Sequence, residues 1–565
     1  MITFRPMHLL VPFATNWPHD DARRLQRIGA VAYFLLLAPA ISHAQTALTH
    51  TEDAAPVPKG MLRFRVTTGW SRFDERFTTS GRRTLGDEIS ATDFGVQQLP
   101  LLAPVETGLR TLTGEAATKL SLGHLAVYSD ARTVTTPIVL EYGLTRRLTV
   151  GIMVPVVQTR RSVSVSVNKD STANVGFVPA RLRAAAASQN AAVSAAYRAA
   201  ADSLTILVSR CPTNPSSSGC AAVNLNAADA SAASALARQF ADAVKSALGT
   251  DTAHTLIAPR SGGALAAGIE AQRAIINARV QKYLGASAGA NAAVFTQSSS
   301  FSYIDLQGRN GVPGLLQSTL GGGLDSLRTT NKLVLGGLTV GAQFLVFDHF
   351  LADSVSAPRF QSRLSVGAAV RYEALPADSA RTLGVISATD GSAFELRSAM
   401  DVMSGILGGT VAAHFTRFLP RAVIAPVSGD PEAFWPYPVF GSQQRTSGTV
   451  LSLDLTPRVL LGDAFAIDGH YGFERTGAPT YDPGPVTAFD GLSSVPVLIP
   501  SSRSAQRVGF GFRYSTVDSW LRGRASRPIE VSFTHLQTIS GSDGVARLAR
   551  DQVQVRLFFQ VRPPR

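Results

Sequence analysis

Asp468 and His470 lie two residues apart on one face of an alternating segment, and Ser452 and Ser532 fall on the matching faces of neighbouring segments. A carboxylate, an imidazole and a hydroxyl could form a hydrolytic trio. Such pairs also arise by chance in any alternating strand. The sequence has neither His-Glu-x-x-His nor a phosphate-binding Gly-rich Lys loop. We therefore predict no enzyme, cofactor or metal site, and keep an outer-membrane hydrolase as one alternative.

A second set of reactive residues is charged and lies opposite apolar side chains within alternating segments. Burying a lone charge costs several kcal/mol, so these groups must pair or face water. They either line a water-filled path with a bias toward anions or form a salt-bridged plug, and the sequence leaves both open. The candidate lumen-lining residues are Arg63, Arg65, Glu141, Arg363, Arg371, Asp454, Arg458, Asp468, Glu474, Arg513, Glu530 and Arg556.

The elements that would position these charges are β-strands, since apolar and polar residues alternate with period two. In 61–70, Leu62, Phe64 and Val66 oppose Arg63 and Arg65. The predicted strands are 61–77, 124–142, 147–167, 333–347, 360–373, 395–403, 410–424, 447–460, 464–475, 504–516, 527–538 and 552–561.

The connections between these strands fall into two classes. Those after even-numbered strands are short, as at 143–146 and 461–463, whereas most of the others are long, up to 168–332. Short turns at one rim and long loops at the other are typical of outer-membrane barrels, in which the short turns face the periplasm. We therefore predict an all-β fold, an antiparallel transmembrane β-barrel of about 12 strands spanning 61–565, in the cell outer membrane.

Composition agrees with a packed, exported protein. The 565 residues are 45% hydrophobic and 16% charged, with a net charge of +13. Arginines before the apolar run 28–41 and a small-x-small site at 42–44 predict a signal peptide over 1–44, followed by a periplasmic segment 45–60. No basic run is interleaved with stacking aromatic residues, so we predict lipid and lipopolysaccharide as partners and no nucleic acid. The oligomeric state stays open.

One long external loop differs from the rest. Between 180 and 248, 24 of 69 residues are Ala, and apolar residues recur at helical spacing. We predict helices over 180–208, 223–248 and 263–284, within a helical insertion at 180–290 that caps, plugs or projects from the barrel. Cys211 and Cys220 bracket a flexible turn and should form a disulfide in an oxidising compartment.

The segment from Glu141 to Pro155 reads Glu-Tyr-Gly-Leu-Thr-Arg-Arg-Leu-Thr-Val-Gly-Ile-Met-Val-Pro, and Leu335 to Phe344 reads Leu-Gly-Gly-Leu-Thr-Val-Gly-Ala-Gln-Phe. These two stretches resemble outer-membrane channels of the phenol-degradation-pathway transporter family. The terminal Leu557-Phe558-Phe559 resembles the signal read by the outer-membrane assembly machinery. The resemblance implies a barrel that carries small, hydrophobic molecules, without naming one.

We therefore expect passive passage of small hydrophobic or anionic solutes. A surface-display or adhesion barrel that presents the helical insertion is the other alternative.

Overall fold

The computed structural model describes residues 53–87, 90–167, 172–286, 293–325, 327–350, 360–373, 391–426, 440–482, 502–521, 523–542 and 544–560. The predicted signal peptide, 1–44, lies outside the described residues.

Twelve antiparallel strands form one closed ring, because each pairs with the next along the chain and the last pairs with the first. The predicted fold class is thereby confirmed. The barrel strands are β1 (Met61–Phe73), β2 (Leu125–Gly143), β3 (Leu148–Val167), β4 (Leu338–Asp348), β5 (Gln361–Tyr372), β6 (Ala393–Ser404), β7 (Leu407–Phe418), β8 (Val450–Leu461), β9 (Phe465–Thr476), β10 (Arg503–Ser515), β11 (Ile529–Gly541) and β12 (Ala549–Gln560).

The two faces of the barrel wall differ in polarity. On β1 the side chains of Arg63, Arg65 and Thr67 are buried, and on β2 Ile138 and Leu140 stay exposed on the opposite face. Apolar side chains directed outward and polar ones directed inward are the pattern of a barrel that meets lipid with its outer surface. Among the described helices, none combines the length and the apolar character that a spanning helix requires.

Three of the predicted strands end early or are divided in the structure. The predicted strand 61–77 ends at Phe73, and Glu75–Thr78 forms a separate strand. The predicted strand 333–347 is interrupted at residues 336–337, where the chain approaches Pro155 so closely that a Cβ on Gly336 would lie 2.7 Å from its ring. A short strand, Thr330–Leu335, precedes the break and pairs with the upper half of β3. The predicted strand 410–424 was too long, since β7 ends at Phe418.

Short strands outside the barrel form three small sheets and belong to the long connections. Arg421–Pro426 pairs with Phe440–Thr446, which pairs with Thr480–Asp482. The other two pairs are Glu75–Thr78 with Gly81–Thr84, and Val175–Phe177 with Ile257–Pro259.

Helices from two long loops build one external helical region, which we call the cap. The predicted helix 223–248 is divided in the structure: Asn226 separates two helices and accepts from the N–H of Asp229 as an N-cap. The cap helices are α1 (Ala103–Thr113), α2 (Ala180–Arg210), α3 (Cys220–Leu225), α4 (Ala227–Ala243) with a π-helical turn Val244–Leu248, α5 (Ala264–Leu284) and α6 (Tyr303–Gln307), with 3₁₀ turns at Pro100–Leu102 and Thr319–Gly321.

Helix α1 comes from the first long loop and was not predicted. Its Gly108 lies against Ala247 so closely that a Cβ on residue 108 would stand 2.6 Å from the Ala247 Cβ. Leu109 and Leu112 are fully buried in the same apolar core as Phe240. The first and second long loops therefore fold together as one unit.

The cap lies on the lumen side of the β2–β3 hairpin. Its core includes Leu125 and Val127 of β2, and Val163 and Val165 of β3 pack against it. These odd-numbered residues share a strand face with the lumen-facing Glu141. The cap is therefore placed above the barrel mouth, and not over the surrounding outer surface.

Candidate functional site: the charged barrel lumen

A belt of charged side chains surrounds the lumen near the rim that carries the short turns. Every member lies within four residues of a strand end, because each of these strands begins or ends at that rim. The belt consists of Arg63 and Arg65 (β1), Glu141 (β2), Arg363 (β5), Asp401 (β6), Arg458 (β8), Asp468 (β9), Arg513 (β10), Glu530 (β11) and Arg556 (β12).

Most members of the belt form ion pairs across neighbouring strands. Arg63 donates to both carboxylate oxygens of Glu141, at 2.7 and 3.0 Å. Arg458 Nε lies 2.6 Å from Asp468 Oδ1. Bidentate and charge-assisted contacts of this kind are among the stronger hydrogen bonds in proteins. They hold each guanidinium group in a fixed orientation.

Arg363 and Arg513 extend the network. Arg363 Nε lies 2.7 Å from Asp401 Oδ2. Arg513 bridges Asp468 and Glu530, each at 3.6 Å. The belt is thus a connected set of pairs from strand to strand, and not a row of separate charges.

The chain segment before β1 enters the lumen and completes this belt. We call residues 53–60 the N-terminal strap. Asp53 accepts from Arg556 at 2.6 Å, and the N–H of Ala54 donates to Asp401 at 3.0 Å. Farther along, the N–H of Val57 donates to Thr149 Oγ1 at 2.9 Å. Residues 53–57 therefore bind lumen-facing side chains on three different sides of the barrel.

The strap turns into β1 at the rim through a close contact with Gly143. The N–H of Gly60 donates to the Gly143 carbonyl at 2.8 Å. A Cβ on Gly143 would stand 2.2 Å from the Pro58 carbonyl oxygen, so only glycine fits there. The sequence analysis assigned 45–60 to the periplasm, whereas the described residues 53–57 occupy the lumen. The sequence carries no periodicity in this segment that would have indicated such a position.

The outer half of the lumen carries more basic than acidic groups. Arg507 donates to both oxygens of Glu474, at 2.6 and 2.7 Å, and Arg371 pairs with Glu395. Arg161 Nε donates to Ser129 Oγ at 2.8 Å. Across the described strands, this level holds Arg161, Arg371, Arg397, Arg507 and Arg550 against Glu395, Asp454 and Glu474.

Hydroxyl and amide side chains line the lumen between these two charged levels. Gln343 donates to Ser365 at 2.8 Å, and Gln554 donates to Thr67 at 3.0 Å. Ser532 and Thr534 of β11 are buried on the same inner surface. Polar side chains therefore lie on the inner surface between the charged levels as well as within them, in contrast to the apolar core of the cap.

All twelve sequence-predicted lumen residues lie on inward strand faces. Nine of them belong to the belt, and Arg371, Asp454 and Glu474 lie in the outer half of the lumen. The sequence analysis missed Asp53, Glu395, Asp401 and Arg507. Glu395 and Asp401 alternate with apolar residues within a predicted strand, so their period-two spacing could have identified them. Asp53 had no such signal.

The hypothetical hydrolytic trio is not assembled. Asp468 accepts from Arg458, and His470 Nδ1 lies 3.3 Å from Thr456 Oγ1. Ser452 is opposite Glu474 on the adjacent strand. The chain also contains one Gly-x-Ser-x-Gly spacing, at 285–289, and its Ser287 lies outside the described residues.

Two further side-chain contacts lie in the cap and in the barrel wall. Cys211 and Cys220 form the predicted disulfide, which joins the end of α2 to the start of α3. Phe418 is buried on the inner face of the barrel against Ala393 and Val450. Its even number places it with the lumen-facing residues of β7.

No family model and no curated protein matches this chain. Among solved structures, an outer membrane channel from Pseudomonas putida F1 is 8% identical, with 90% of this chain and 99% of that chain covered and a TM-score of 0.36. The Pseudomonas putida toluene transporter TodX is 8% identical, with 90% of each chain covered and a TM-score of 0.20. The transport unit of the Escherichia coli autotransporter AIDA-I is 5% identical, with 94% and 98% covered and a TM-score of 0.27. Similarity at these values assigns no function to the present chain.

Proposed function

We propose that this protein is an outer-membrane β-barrel channel for the passive passage of small solutes. The observation that carries the proposal is the contrast across the barrel wall: the outer surface is mostly apolar, whereas most charged side chains of the strands are on the inner surface, in the belt and in the outer half of the lumen. A barrel that served only as a solid anchor would gain more from an apolar interior, because buried charges must each find a partner.

The outer surface supports location in the outer membrane. Exposed apolar side chains lie on different sides of the ring, for example Ile152 on β3, Phe344 on β4 and Phe510 on β10. Closed barrels satisfy every backbone N–H and C=O in lipid. With this location we propose cleavage of the signal peptide before Gln45 and insertion by the outer-membrane assembly machinery.

We propose that the strap narrows the periplasmic part of the path. Asp53 and Ala54 are buried between β6 and β12, which belong to different sides of the ring. Passage of a solute therefore requires the strap to shift. The excess of arginines in the outer half of the lumen favours anions, and the family resemblance implies hydrophobic molecules, so a small anionic solute with an apolar part fits both.

Single-channel recording in planar bilayers tests the proposal. We expect low conductance from the wild type and a severalfold rise for Asp53→Arg, because a cation at residue 53 would be repelled by Arg513 and Arg556. Asp463→Arg is the matched control, since Asp463 is exposed in the β8–β9 turn. Absence of conductance from the folded wild type and from Asp53→Arg would contradict the channel.

Ion selectivity provides an independent measurement. We expect anion preference in a salt gradient, with the reversal potential shifted toward cations by Arg371→Glu combined with Arg397→Glu. Arg417→Glu on β7 is the control, because its side chain is exposed on the outer face. Equal shifts for the pair and for the control would show that the outer-lumen arginines do not set selectivity.

A display or adhesion barrel is the second candidate, and the cap favours it. The cap is built around one large apolar core that includes only a few residues of β2 and β3, as a binding module carried by a barrel would be. Protease treatment of intact cells that releases the cap, together with a purified barrel that conducts no ions, would support display over transport.

A further inference from the structure

Three arginines on adjacent strands stand side by side on the outer face of the barrel. In the register of the sheet, Arg72 of β1 is opposite Arg132 of β2, and Arg132 is opposite Arg160 of β3. All three side chains are exposed. The row ends at Asn331, which is opposite Arg160 and accepts from Gln158 at 3.2 Å.

This arrangement is unfavourable for the protein alone. Directly opposed residues have Cβ atoms about 5 Å apart, and like charges in such positions repel. Asp130 offsets part of the charge, since it lies 3.3 Å from Arg132. Within the part of the chain that the structure describes, Arg72 and Arg160 have no carboxylate partner. The row therefore retains an excess of positive charge, which an anion between the side chains would balance.

The height of the row indicates which anion is present there. On β2 the outward side chains from Tyr142 to Val134 are mostly apolar, and Arg132 follows them toward the cap. Ten residues of strand span about 34 Å, which corresponds to about 25 Å of membrane thickness at a tilt of roughly 40–45°. The row thus lies one apolar band above the rim with the short turns. Trp70 is 46% exposed one step below the row and Tyr128 is 49% exposed above it, as expected at a lipid headgroup level.

We propose that Arg72, Arg132 and Arg160 bind a phosphate group of an outer-leaflet glycolipid, the phosphorylated lipid A part of lipopolysaccharide. Guanidinium groups bind phosphate oxygens with two parallel N–H donors, so three neighbouring arginines can surround one phosphate. Trp70 then contacts the upper part of the acyl chains. The proposal rests on the outer-membrane location and does not depend on whether the barrel conducts.

The test is native mass spectrometry of the full-length, detergent-purified protein titrated with lipid A. The variant Arg72→Gln/Arg132→Gln/Arg160→Gln keeps polar side chains and removes the charges. Each basic group near an anionic surface contributes roughly a fivefold factor, so we expect the variant to bind on the order of a hundredfold more weakly. The control Arg146→Gln/Arg147→Gln/Arg527→Gln removes three exposed arginines at the opposite rim and should bind as the wild type does.

Two further ligands define the chemistry. Lipid A without its phosphates should bind the wild type as weakly as intact lipid A binds the triple variant. Equal binding of intact lipid A by the triple variant and the wild type would overturn the proposal. Binding of inorganic phosphate at the same arginines, with no preference for the lipid, would overturn the lipid assignment. Heat-modifiable migration on a gel checks that each variant is folded. A lack of conductance in bilayers would contradict the proposed channel but would not affect this binding result.

Discussion

The cap and the periplasmic half of the lumen are held together by opposite kinds of contact. The cap buries apolar side chains such as Leu109, Tyr197 and Phe240, as a water-soluble domain does. The belt buries arginines and carboxylates that satisfy one another, as between Arg556 and Asp53. Loss of an apolar group leaves a cavity in the first region, whereas loss of one charge in the second leaves an uncompensated partner.

This difference bears on which region can move. The apolar core of the cap is stabilised in proportion to the area that it buries, and this area is spread over many residues. The strap depends on few contacts, mainly those of Asp53, Ala54 and Val57. Under the proposed channel function, a local exchange of those partners would shift the strap without unfolding the barrel or the cap.

The largest expected effect is from Arg556→Met. Arg556 is the basic group nearest to both Asp53 and Glu530, so this substitution leaves two buried carboxylates without their closest partner. Removal of one member of a buried ion pair costs about 3–5 kcal/mol of stability. We expect a lower urea midpoint for barrel unfolding in detergent and faster proteolysis of the strap. Arg527→Met, at an exposed position in a periplasmic turn, is the control. An unchanged midpoint would show that the pair is dispensable.

The next effect is expected from Leu109→Ala in the cap. Leu109 is fully buried where the first loop meets the second, so its truncation should destabilise the cap by about 3 kcal/mol. Limited proteolysis should then cleave the cap while heat-modifiable migration of the barrel is retained. Ile206→Ala is the control, because Ile206 is 63% exposed. Loss of the barrel together with the cap would refute their separate stability.

A smaller effect is expected from removal of the disulfide by Cys211→Ser/Cys220→Ser. A covalent link across nine positions restricts the unfolded chain, which corresponds to about 2–3 kcal/mol. Proteolysis at the α2–α3 connection should become faster, and the strap should be protected as in the wild type. Equal cleavage with and without a reductant in the wild type would contradict this role.

The smallest effect is a pH dependence confined to the cap. Burial raises the pKa of Tyr197 to about 12, and its hydroxyl donates to Asn277 at 2.7 Å. The phenol is neutral when protonated, and its unfolded pKa is about 10. Its contribution to stability is therefore complete below pH 10 and decreases as the pH rises toward 12. Ultraviolet difference spectroscopy should detect one late-ionising tyrosine that Tyr197→Phe removes; titration of all tyrosines near pH 10 would contradict it.

The barrel wall could be predicted from local pattern, since period-two alternation and turn lengths are properties of neighbouring residues. Most of the twelve strand boundaries agree within about three residues with those predicted. The exceptions are the predicted strands 61–77, 333–347 and 410–424, each of which is shorter or divided in the structure. Helix α1 was missed because its apolar stripe is short and lies in a loop to which the sequence analysis assigned no secondary structure.

Sequence alone thus determined the architecture and the inward position of the charges, because the side chains of a strand alternate whatever its partners are. It did not determine which charges meet, that the strap enters the lumen, or that the cap lies above the mouth. Asp53 and Arg556 are 503 positions apart and come together only because the ring closes between β12 and β1. Contacts of this kind depend on the register of many strands at once, and only the folded barrel sets that register.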